Sequence, residues 1–471
     1  MMGPPAFEKA MGICRYVFDN PGIGGIIKYR YEDFIVEEIT LSGAIIGRDS
    51  PDFKGFLKPP RSGRYVYIAL MKTGMNHYDA ISLIARRLGV KSSMIGIAGI
   101  KDARAVTTQL ISVKDIELEF VYDRLSGLKN LRILWACYGY GPLKPGMLRG
   151  NAFTITIRHV EMSLDELREH ILQFIKNVEG KPGLLNFYGH QRFGIPRYSS
   201  HLVGKCMVQG DYECAVENLV GNPFEGEPED EYKARQVYSD TKDPEKALKY
   251  MPKNLVYERR VLKYLKNNPG DYIGAMSVLP SSLLKLFVEA FASYIYNRFI
   301  CRRISMGLPP DGLVEGDLIA LTDSYGYPTH RTFRAGYEID MDRAEQLLIE
   351  GKATQVLPVP GYMVKLSEGK QGEIEREILR EEQVFLSDFR LYELRRKINV
   401  QGSYRRILFK PANMRLIVVG DDEFFPGKSK ATIYFELGRG EYATILLREL
   451  MKPQSMWSYI GGDIRLRGRL S

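Results

Sequence analysis

Two stretches of similar sequence pattern enclose a middle segment of a different character. Both ends of the chain alternate between short runs typical of strands and periodic runs typical of helices. The middle instead holds an aromatic, glycine-rich segment at 186–194, a polar, charged tract at 222–270 and a long amphipathic helix. This order predicts an α+β domain, formed by 1–183 and 411–471, that is interrupted by an insertion at 184–410.

Local patterns predict much of the secondary structure. Asn76 is a candidate helix cap, apolar residues follow it at helical spacing, and Gly89 ends that helix. Ser163 and Glu166 form a capping box for a second helix, which closes near Gly180. Further predicted elements are strands at 64–70, 106–113, 153–158, 414–419 and 432–437, a short apolar run at 95–100, and helices at 282–306 and from about 442.

The charge balance of the 471-residue chain is basic. Its 66 Lys and Arg against 57 Asp and Glu give a net charge of +9, which favours a polyanionic partner such as nucleic acid, although many basic proteins bind none. No apolar run approaches the roughly 18 residues of a membrane helix, and the start lacks a signal-peptide layout. We therefore expect a cytoplasmic protein. The five cysteines (Cys14, Cys137, Cys206, Cys214 and Cys301) are irregularly spaced, which predicts reduced, mostly buried thiols.

Several common catalytic motifs are missing from the sequence. Six residues separate Gly420 from Gly427, where a phosphate loop needs four, and the PGIGG turn at 21–25 lacks a preceding strand. The six histidines form no H-E-x-x-H motif and no close pair with metal spacing, and no G-x-S-x-G elbow is present. Kinases, dehydrogenases, zinc hydrolases and serine esterases are therefore disfavoured.

The run AGIKDARAVTTQ at 98–109 places a charged turn between two predicted strands. A carboxylate on Asp102 would project from a strand end, and Lys101 and Arg104 would keep it ionised because opposite charges favour the charged form. The alternative is a solvated turn with a surface ion pair. Lys-Asp pairs recur at Lys114-Asp115 and Lys242-Asp243, so the dipeptide alone carries no information.

The whole run resembles the G-x-K-D-x-x-A-x-T-x-Q active-site motif of the TruD family of pseudouridine synthases, which isomerise uridine in transfer RNA. Four other segments resemble motifs of that family in the same order. They are Lys28 with Glu32-Asp33-Phe34-Ile35-Val36-Glu37, where Tyr31 replaces the family's proline; Gly150-Asn151-Ala152-Phe153; the segment 186–194; and Tyr442-Ala443-Thr444 with Arg448-Glu449-Leu450. Five motifs in one order, spanning 28–450, identify the chain as similar to this family.

The resemblance implies a pseudouridine synthase core, with a mixed, largely antiparallel sheet flanked by helices, and a large inserted α+β domain. It implies that Asp102 is the catalytic residue, as a nucleophile at C1′ or as a base at the 2′ position, without metal or cofactor. Lys28 is implied to lie near Asp102 and keep it ionised. The alternative for Lys28 is a surface lysine at the start of a strand.

The resemblance also implies substrate contacts. Phe153 matches the aromatic that packs on the target base, at a partly open site, whereas its alternation with Ile155 would also suit a core position. Asn151 matches a residue that reads the uracil edge or holds the loop, and otherwise is a turn residue. Arg192 is a candidate phosphate contact. Other basic candidates are Arg86, Arg87, Lys144, Arg149, Arg405, Arg406, Arg465, Arg467 and Arg469.

The implied partner is tRNA, with position 13 as the implied target, and no obligate protein partner is evident. One alternative is a non-catalytic RNA-binding protein with the same fold; another is a small-molecule enzyme of unrelated fold. The retained set of Lys28, Asp102, Asn151 and Phe153 argues against lost chemistry. The tract at 222–270 makes the insertion longer than in short family members, and the sequence assigns it no role.

Overall fold

The chain forms two compact units in a computed structural model that describes residues 3–50, 52, 58–195, 197–224 and 227–461. The core unit consists of Asn20–Leu184 and Lys410–Ser471. The insertion unit consists of Met1–Asp19 and Leu185–Phe409.

Helices and strands alternate in the core unit, and helices dominate the insertion unit. The α-helices are α1 (Ala6–Ala10), α2 (His77–Leu88), α3 (Glu119–Leu125), α4 (Leu164–Glu179), α5 (Ser200–Val208), α6 (Tyr212–Val220), α7 (Glu229–Thr241), α8 (Pro244–Tyr250), α9 (Val256–Asn267), α10 (Tyr272–Ser277), α11 (Ser281–Ser305), α12 (Met341–Ile349), α13 (Gly369–Glu381) and α14 (Ala443–Met451). The strands are β1 (Phe34–Ile39), β2 (Tyr65–Thr73), β3 (Ile95–Ile97), β4 (Val106–Lys114), β5 (Leu131–Gly139), β6 (Gly150–Val160), β7 (Leu184–Leu185), β8 (Leu318–Thr322), β9 (Pro328–Arg334), β10 (Ala353–Val359), β11 (Arg390–Leu391), β12 (Ile398–Asn399), β13 (Ser403–Arg406), β14 (Leu408–Phe409), β15 (Ala412–Asp421) and β16 (Ser429–Gly438).

The core unit is built on a sheet with the strand order β15-β16-β6-β1-β4-β2-β5, to which β3 adds on β4. Only the β1–β4 pair is parallel among the described pairings of this sheet. Apolar side chains of β2 and β4 pack with those of α2 and α3 to form one hydrophobic cluster of its core. The predicted α+β class with a mixed, largely antiparallel sheet is confirmed.

Local capping signals fix the helix ends as the sequence predicts. The Asn76 side chain accepts a hydrogen bond from the Tyr78 backbone N–H, and Gly89 takes the left-handed conformation after Leu88. Ser163 and Glu166 form their capping box at the start of α4. These signals are reliable because each depends on only a few neighbouring residues.

The insertion unit is organised around α11, which packs with α5, α13 and β10. Its sheet has the order β13-β10-β8-β9. Arg303, near the end of α11, is fully buried and pairs with Asp317 at 2.7 Å. Charged side chains interrupt α11, and within the described part of the chain no helix is long and apolar enough to cross a membrane.

The first 19 residues belong to the insertion unit, whereas the sequence-based division assigned 1–183 to the core. Glu8 is fully buried, and its Oε1 lies 3.1 Å from His190 Nε2. The Asn297 side chain on α11 donates to the Met11 carbonyl oxygen at 3.0 Å. These contacts join positions far apart in the sequence, so local sequence patterns do not predict them.

The prediction of reduced thiols is wrong for four of the five cysteines. Cys14 is bonded to Cys301, 287 residues away, and Cys206 is bonded to Cys214 across the turn between α5 and α6. Cys137 is free and buried. The first pair meets only because the N-terminal segment packs on α11.

The charged tract at 222–270 folds into the helices α7, α8 and α9. Each buries a small apolar face, through residues such as Ala234, Ala247 and Leu262. These charged helices are therefore anchored by a few inward-facing residues.

Candidate active site

A short turn between β3 and β4 carries Asp102. Ala98 and Ala105 at its two ends are buried, and they anchor the turn to the sheet. The Asp102 side chain is 26% exposed, whereas the adjacent Lys101 side chain is only 2% exposed. The turn therefore presents a single carboxylate to the surface.

Lys28 is the cation that faces this carboxylate. Its Nζ lies 3.3 Å from Asp102 Oδ2 and 4.1 Å from the centroid of the Phe34 ring, and its side chain is 5% exposed. A buried ammonium is stable only when charge and dipole partners replace its water. The carboxylate and the face of the aromatic ring both supply such compensation.

The backbone of Lys28 adopts the left-handed conformation, with φ of +59°. This region is unfavourable for a residue with a side chain, and it persists where surrounding contacts impose it. The Arg104 guanidinium, from the Asp102 turn, donates to the Lys28 carbonyl oxygen at 3.2 Å. The turn thus holds both the side chain and the main chain of Lys28.

The segment after Lys28 is anchored by a buried arginine on β6. The Arg158 guanidinium lies 2.8 Å from Asp33 Oδ1 and 3.1 Å from Asp422 Oδ1. The second oxygen of Asp33 accepts the Arg30 backbone N–H at 2.7 Å. This network fixes the start of β1, and with it the Phe34 ring beneath Lys28.

Lys101 does not face Asp102, which corrects the expectation from the sequence. Its Nζ lies 2.8 Å from Glu38 Oε2 and 2.5 Å from Asn151 Oδ1. Glu38 and Lys101 are both about 2% exposed, so this is a buried ion pair. Lys101 therefore orients the Asn151 amide, whereas Lys28 pairs with the Asp102 carboxylate.

A third buried lysine, Lys72 on β2, contacts the main chain of the turn. Its Nζ donates to the Asp102 carbonyl oxygen at 2.6 Å and to the Met75 carbonyl oxygen at 2.9 Å. The side chain is almost fully enclosed. Burial lowers the pKa of Lys72, the charge of Asp102 opposes this and the charge of Lys101 adds to it, and together they bring the pKa to about 8.

Phe153 is more enclosed than the partly open position expected from the sequence. The residue is 7% exposed, and its ring stacks on Phe435 with centroids 5.3 Å apart. It also meets the edge of Phe34, at 6.1 Å. Three neighbouring strands, β1, β6 and β16, bring these rings together, and Phe34 links Phe153 to Lys28.

Comparison with known proteins identifies the family. The sequence profile of tRNA pseudouridine synthase D (TruD) matches residues 10–450. The chain belongs to the TruD family. It is 36% identical over 454 residues to a probable tRNA pseudouridine synthase D of Methanosarcina acetivorans, covering 96% of this chain and 98% of that protein. A Pyrococcus furiosus protein of the same description is 36% identical over 445 residues, covering 94% of this chain and 99% of that protein.

A solved structure supports the same assignment. The putative TruD of Methanosarcina mazei has 35% sequence identity and a TM-score of 0.75, and the alignment covers 96% of this chain and 99% of that chain. The TruD fold therefore extends over nearly the whole chain.

Arg192, the remaining candidate of this TruD-family chain, lies in the insertion unit. Its guanidinium is 3.3 Å from Glu289 Oε2 and lies over the Tyr188 ring at 5.3 Å. It lines a pocket of about 370 Å³ together with Lys285, Asn399 and Gln401. Because Lys285 also approaches Glu289, two cations share one carboxylate there.

The other basic candidates divide into two groups. Arg405 is buried and donates to the Asn186 carbonyl oxygen at 2.9 Å, and Arg406 donates to the Gly326 carbonyl oxygen, so both have structural partners. Exposed positions on the core unit are occupied by Arg86, Arg87, Lys144 and Arg149. Arg465, Arg467 and Arg469 lie outside the described residues.

Sequence reasoning missed Glu38 and Lys72. Each is a charged residue at a buried position of a mostly apolar strand. That pattern is the available signal, because a buried charge needs a specific partner. Among the described residues, no group of three or more His, Cys, Asp or Glu side chains is arranged to hold a metal ion.

Proposed function

We propose that this TruD-family protein converts a uridine of tRNA to pseudouridine, at position 13 by the family resemblance. The observation that carries the proposal is the partly exposed Asp102 carboxylate with its buried partner Lys28. It occurs in the motif that resembles the family's active site, within a family match that extends over residues 10–450.

The reaction breaks the N1–C1′ bond, turns the base and joins C5 to C1′. If Asp102 is the nucleophile, its oxygen bonds to C1′ as the uracil leaves as an anion. The C5 atom then displaces the carboxylate, and the C5 proton passes to N1. If Asp102 is the base, it removes the C2′ proton as the uracil leaves as an anion, and it returns that proton to C2′ when C5 adds to C1′; the C5 proton again passes to N1. Both routes conserve all atoms and need an ionised carboxylate, which Lys28 favours.

Asn151 suits recognition of the base in this proposal. Its Oδ1 accepts from Lys101, which leaves the amide N–H groups to donate. Uracil presents carbonyl oxygens on the edge that an amide would read. Lys101 thus determines which end of the Asn151 amide faces a bound base.

The direct test uses unmodified tRNA transcripts. We expect incubation with the protein to produce pseudouridine at position 13, detected by chemical mapping, and a transcript with cytidine at that position to remain unmodified. Modification of a different uridine would show that position 13 is not the target. Tight tRNA binding without any pseudouridine would favour a non-catalytic RNA-binding protein.

The role of Phe153 is testable by substitution. Loss of a ring that stacks on the base should lower turnover, whereas loss of a ring that packs in the core should lower stability. Stacking is worth about 1–3 kcal/mol per base, so loss of the flat ring in Phe153→Leu should lower turnover roughly ten- to a hundredfold. We expect the free energy of unfolding to change by less than about 1.5 kcal/mol.

The matched control for this prediction is Phe435→Leu, which removes the buried ring on the other side of Phe153. We expect it to affect stability more than turnover. If Phe153→Leu lowers the melting temperature while activity per folded molecule survives, Phe153 is a core residue and its proposed contact with the base is wrong.

Binding of tRNA should depend on salt through the cations of the Arg192 pocket. Neutralisation of about five phosphates predicts that log K falls with log salt by roughly 0.7–0.9 per contact. Arg192→Gln with Lys285→Gln should reduce that slope by about 1.5, measured by titration over a range of salt concentrations. The exposed Lys253, changed to Gln, is the control and should leave the slope unchanged. An unaltered slope in the double variant would remove Arg192 from the tRNA contact.

A further inference from the structure

Lys72 links two segments of the core unit that meet beside the candidate active site. The first is the connection from β2 to α2, contacted through the Met75 carbonyl oxygen at 2.9 Å. The second is the turn from β3 to β4, contacted through the Asp102 carbonyl oxygen at 2.6 Å. The three N–H donors of an ammonium suit such a bridge between backbone acceptors.

The register of the sheet explains why Lys72 reaches this turn. Lys72 pairs with Thr107 on β4, and the following Thr73 pairs with Val106, where β4 begins. The turn that carries Asp102 ends immediately before Val106. The Lys72 side chain therefore lies under the turn, at 1% exposure.

Burial of an ammonium at this position is costly, and an uncharged residue would satisfy packing at lower cost. Nonetheless, Lys72 directly contacts the main chain of the residue proposed to react. A carboxylate that attacks or deprotonates one atom must be held to within a fraction of an ångström, and displacement by about 1 Å costs about a hundredfold in rate. Fixing the Asp102 peptide gives this control.

We propose that Lys72 is a positioning residue, whose ammonium fixes the Asp102 main chain so that the carboxylate keeps its place beside Lys28. Loss of the Lys72 proton at alkaline pH loosens this contact and lowers the rate of the chemical step. The inference rests on the proposed role of Asp102 in pseudouridine formation.

The charged groups around Lys72 are consistent with a proton lost in the accessible pH range. Burial disfavours the charged form of Lys72, Asp102 favours it and the neighbouring Lys101 disfavours it. The resulting pKa of Lys72 is about 8. His77, at the start of α2, has a pKa below its ordinary value because of burial and the charges of Lys72 and Lys101. His77 is therefore neutral when Lys72 titrates, and the alkaline change belongs to Lys72.

The decisive measurement is the single-turnover rate from about pH 6 to about pH 9.5, for the parent and for Lys72→Met. We expect the parent rate to fall above about pH 8 and the Lys72→Met rate to be lower by about a hundredfold, without that fall. The KM for tRNA should change little, because Lys72 is buried. Ionisation of uridine affects both proteins equally, so the difference between the two profiles reports on Lys72.

Lys72→Arg tests the charge itself, because a guanidinium keeps its proton at all these pH values. We expect it to retain more activity than Lys72→Met and to show no fall near pH 8. Lys452→Met is the matched control: Lys452 is another buried lysine of the core unit, and it donates to the Asn20 carbonyl oxygen. It should lose stability but keep the parent pH profile.

The outcomes separate this inference from the proposed function. If the parent makes no pseudouridine in tRNA, the proposed function fails. If the parent is active but its profile has no fall near pH 8, or if Lys72→Met retains either the fall or the parent rate, the Lys72 inference fails alone. If Lys72→Met does not fold, the difference between the profiles of the parent and Lys72→Arg decides, because the guanidinium keeps its proton and a fall near pH 8 in both proteins would overturn the inference.

Discussion

Asp102→Asn is expected to abolish pseudouridine formation, with a single-turnover rate at least about ten-thousandfold below that of the parent. The substitution preserves size and leaves an oxygen that accepts from Lys28 at its position 3.3 Å away. It removes the negative charge that either attacks C1′ or takes the 2′ proton. We expect tRNA affinity to be nearly unchanged and the free energy of unfolding to change by no more than about 1 kcal/mol, because the carboxylate is partly exposed.

The control for this variant is Asp115→Asn, at the end of β4. Asp115 follows a lysine as Asp102 does, but it is exposed and pairs with Arg64. Its loss should leave activity at the parent value. If Asp102→Asn kept activity within about tenfold of the parent, the effect would be too small for loss of a reacting group, and Asp102 would lose its catalytic role.

The second large effect concerns stability, at the buried pair of Glu38 and Lys101. Glu38→Gln keeps the acceptor for the Leu110 backbone N–H, but it leaves the Lys101 ammonium without its carboxylate. Removing one member of a buried pair costs about 3–5 kcal/mol, because the other charge stays buried without compensation. We expect the free energy of unfolding of Glu38→Gln to fall by that amount.

A double variant distinguishes an unpaired charge from lost packing. In Glu38→Gln with Lys101→Met no ammonium remains, so most of the lost stability should return. Urea unfolding followed by tryptophan fluorescence is suitable, because both tryptophans, Trp135 and Trp457, belong to the core unit. The exposed pair of Arg64 and Asp115 provides the comparison, and its loss should cost less than about 1 kcal/mol. A double variant as unstable as Glu38→Gln would show that packing, not charge, is responsible.

Restoring stability should not restore activity. In the double variant Asn151 loses the ammonium that fixes its amide, so recognition of the base should remain impaired even when the fold recovers. Recovery of both quantities would show that the orientation of Asn151 is unimportant for the reaction. Stability and activity of the double variant, measured together, therefore show whether Lys101 only stabilises the fold or also orients Asn151 for the reaction.

The sequence predicted correctly where a feature depends on few neighbouring residues. The Asn76 cap and the Ser163–Glu166 capping box were predicted at the residues where they occur, because their hydrogen bonds lie within one helical turn. The motif around Asp102 is likewise continuous in sequence. Together with four other continuous motifs it indicated the family, which the comparisons then established over residues 10–450.

The partners of the site residues were decided by the tertiary structure. Lys101 adjoins Asp102 in the sequence, yet its ammonium pairs with Glu38, while Asp102 pairs with Lys28, 74 residues away. The disulfide between Cys14 and Cys301 and the enclosure of Phe153 by Phe435 join still more distant positions. Sheet register and strand order bring the residues of the core unit together, and packing of the N-terminal segment on α11 brings the two cysteines together. A buried charge takes whichever partner the sheet brings within reach, and adjacency along the chain does not determine that choice.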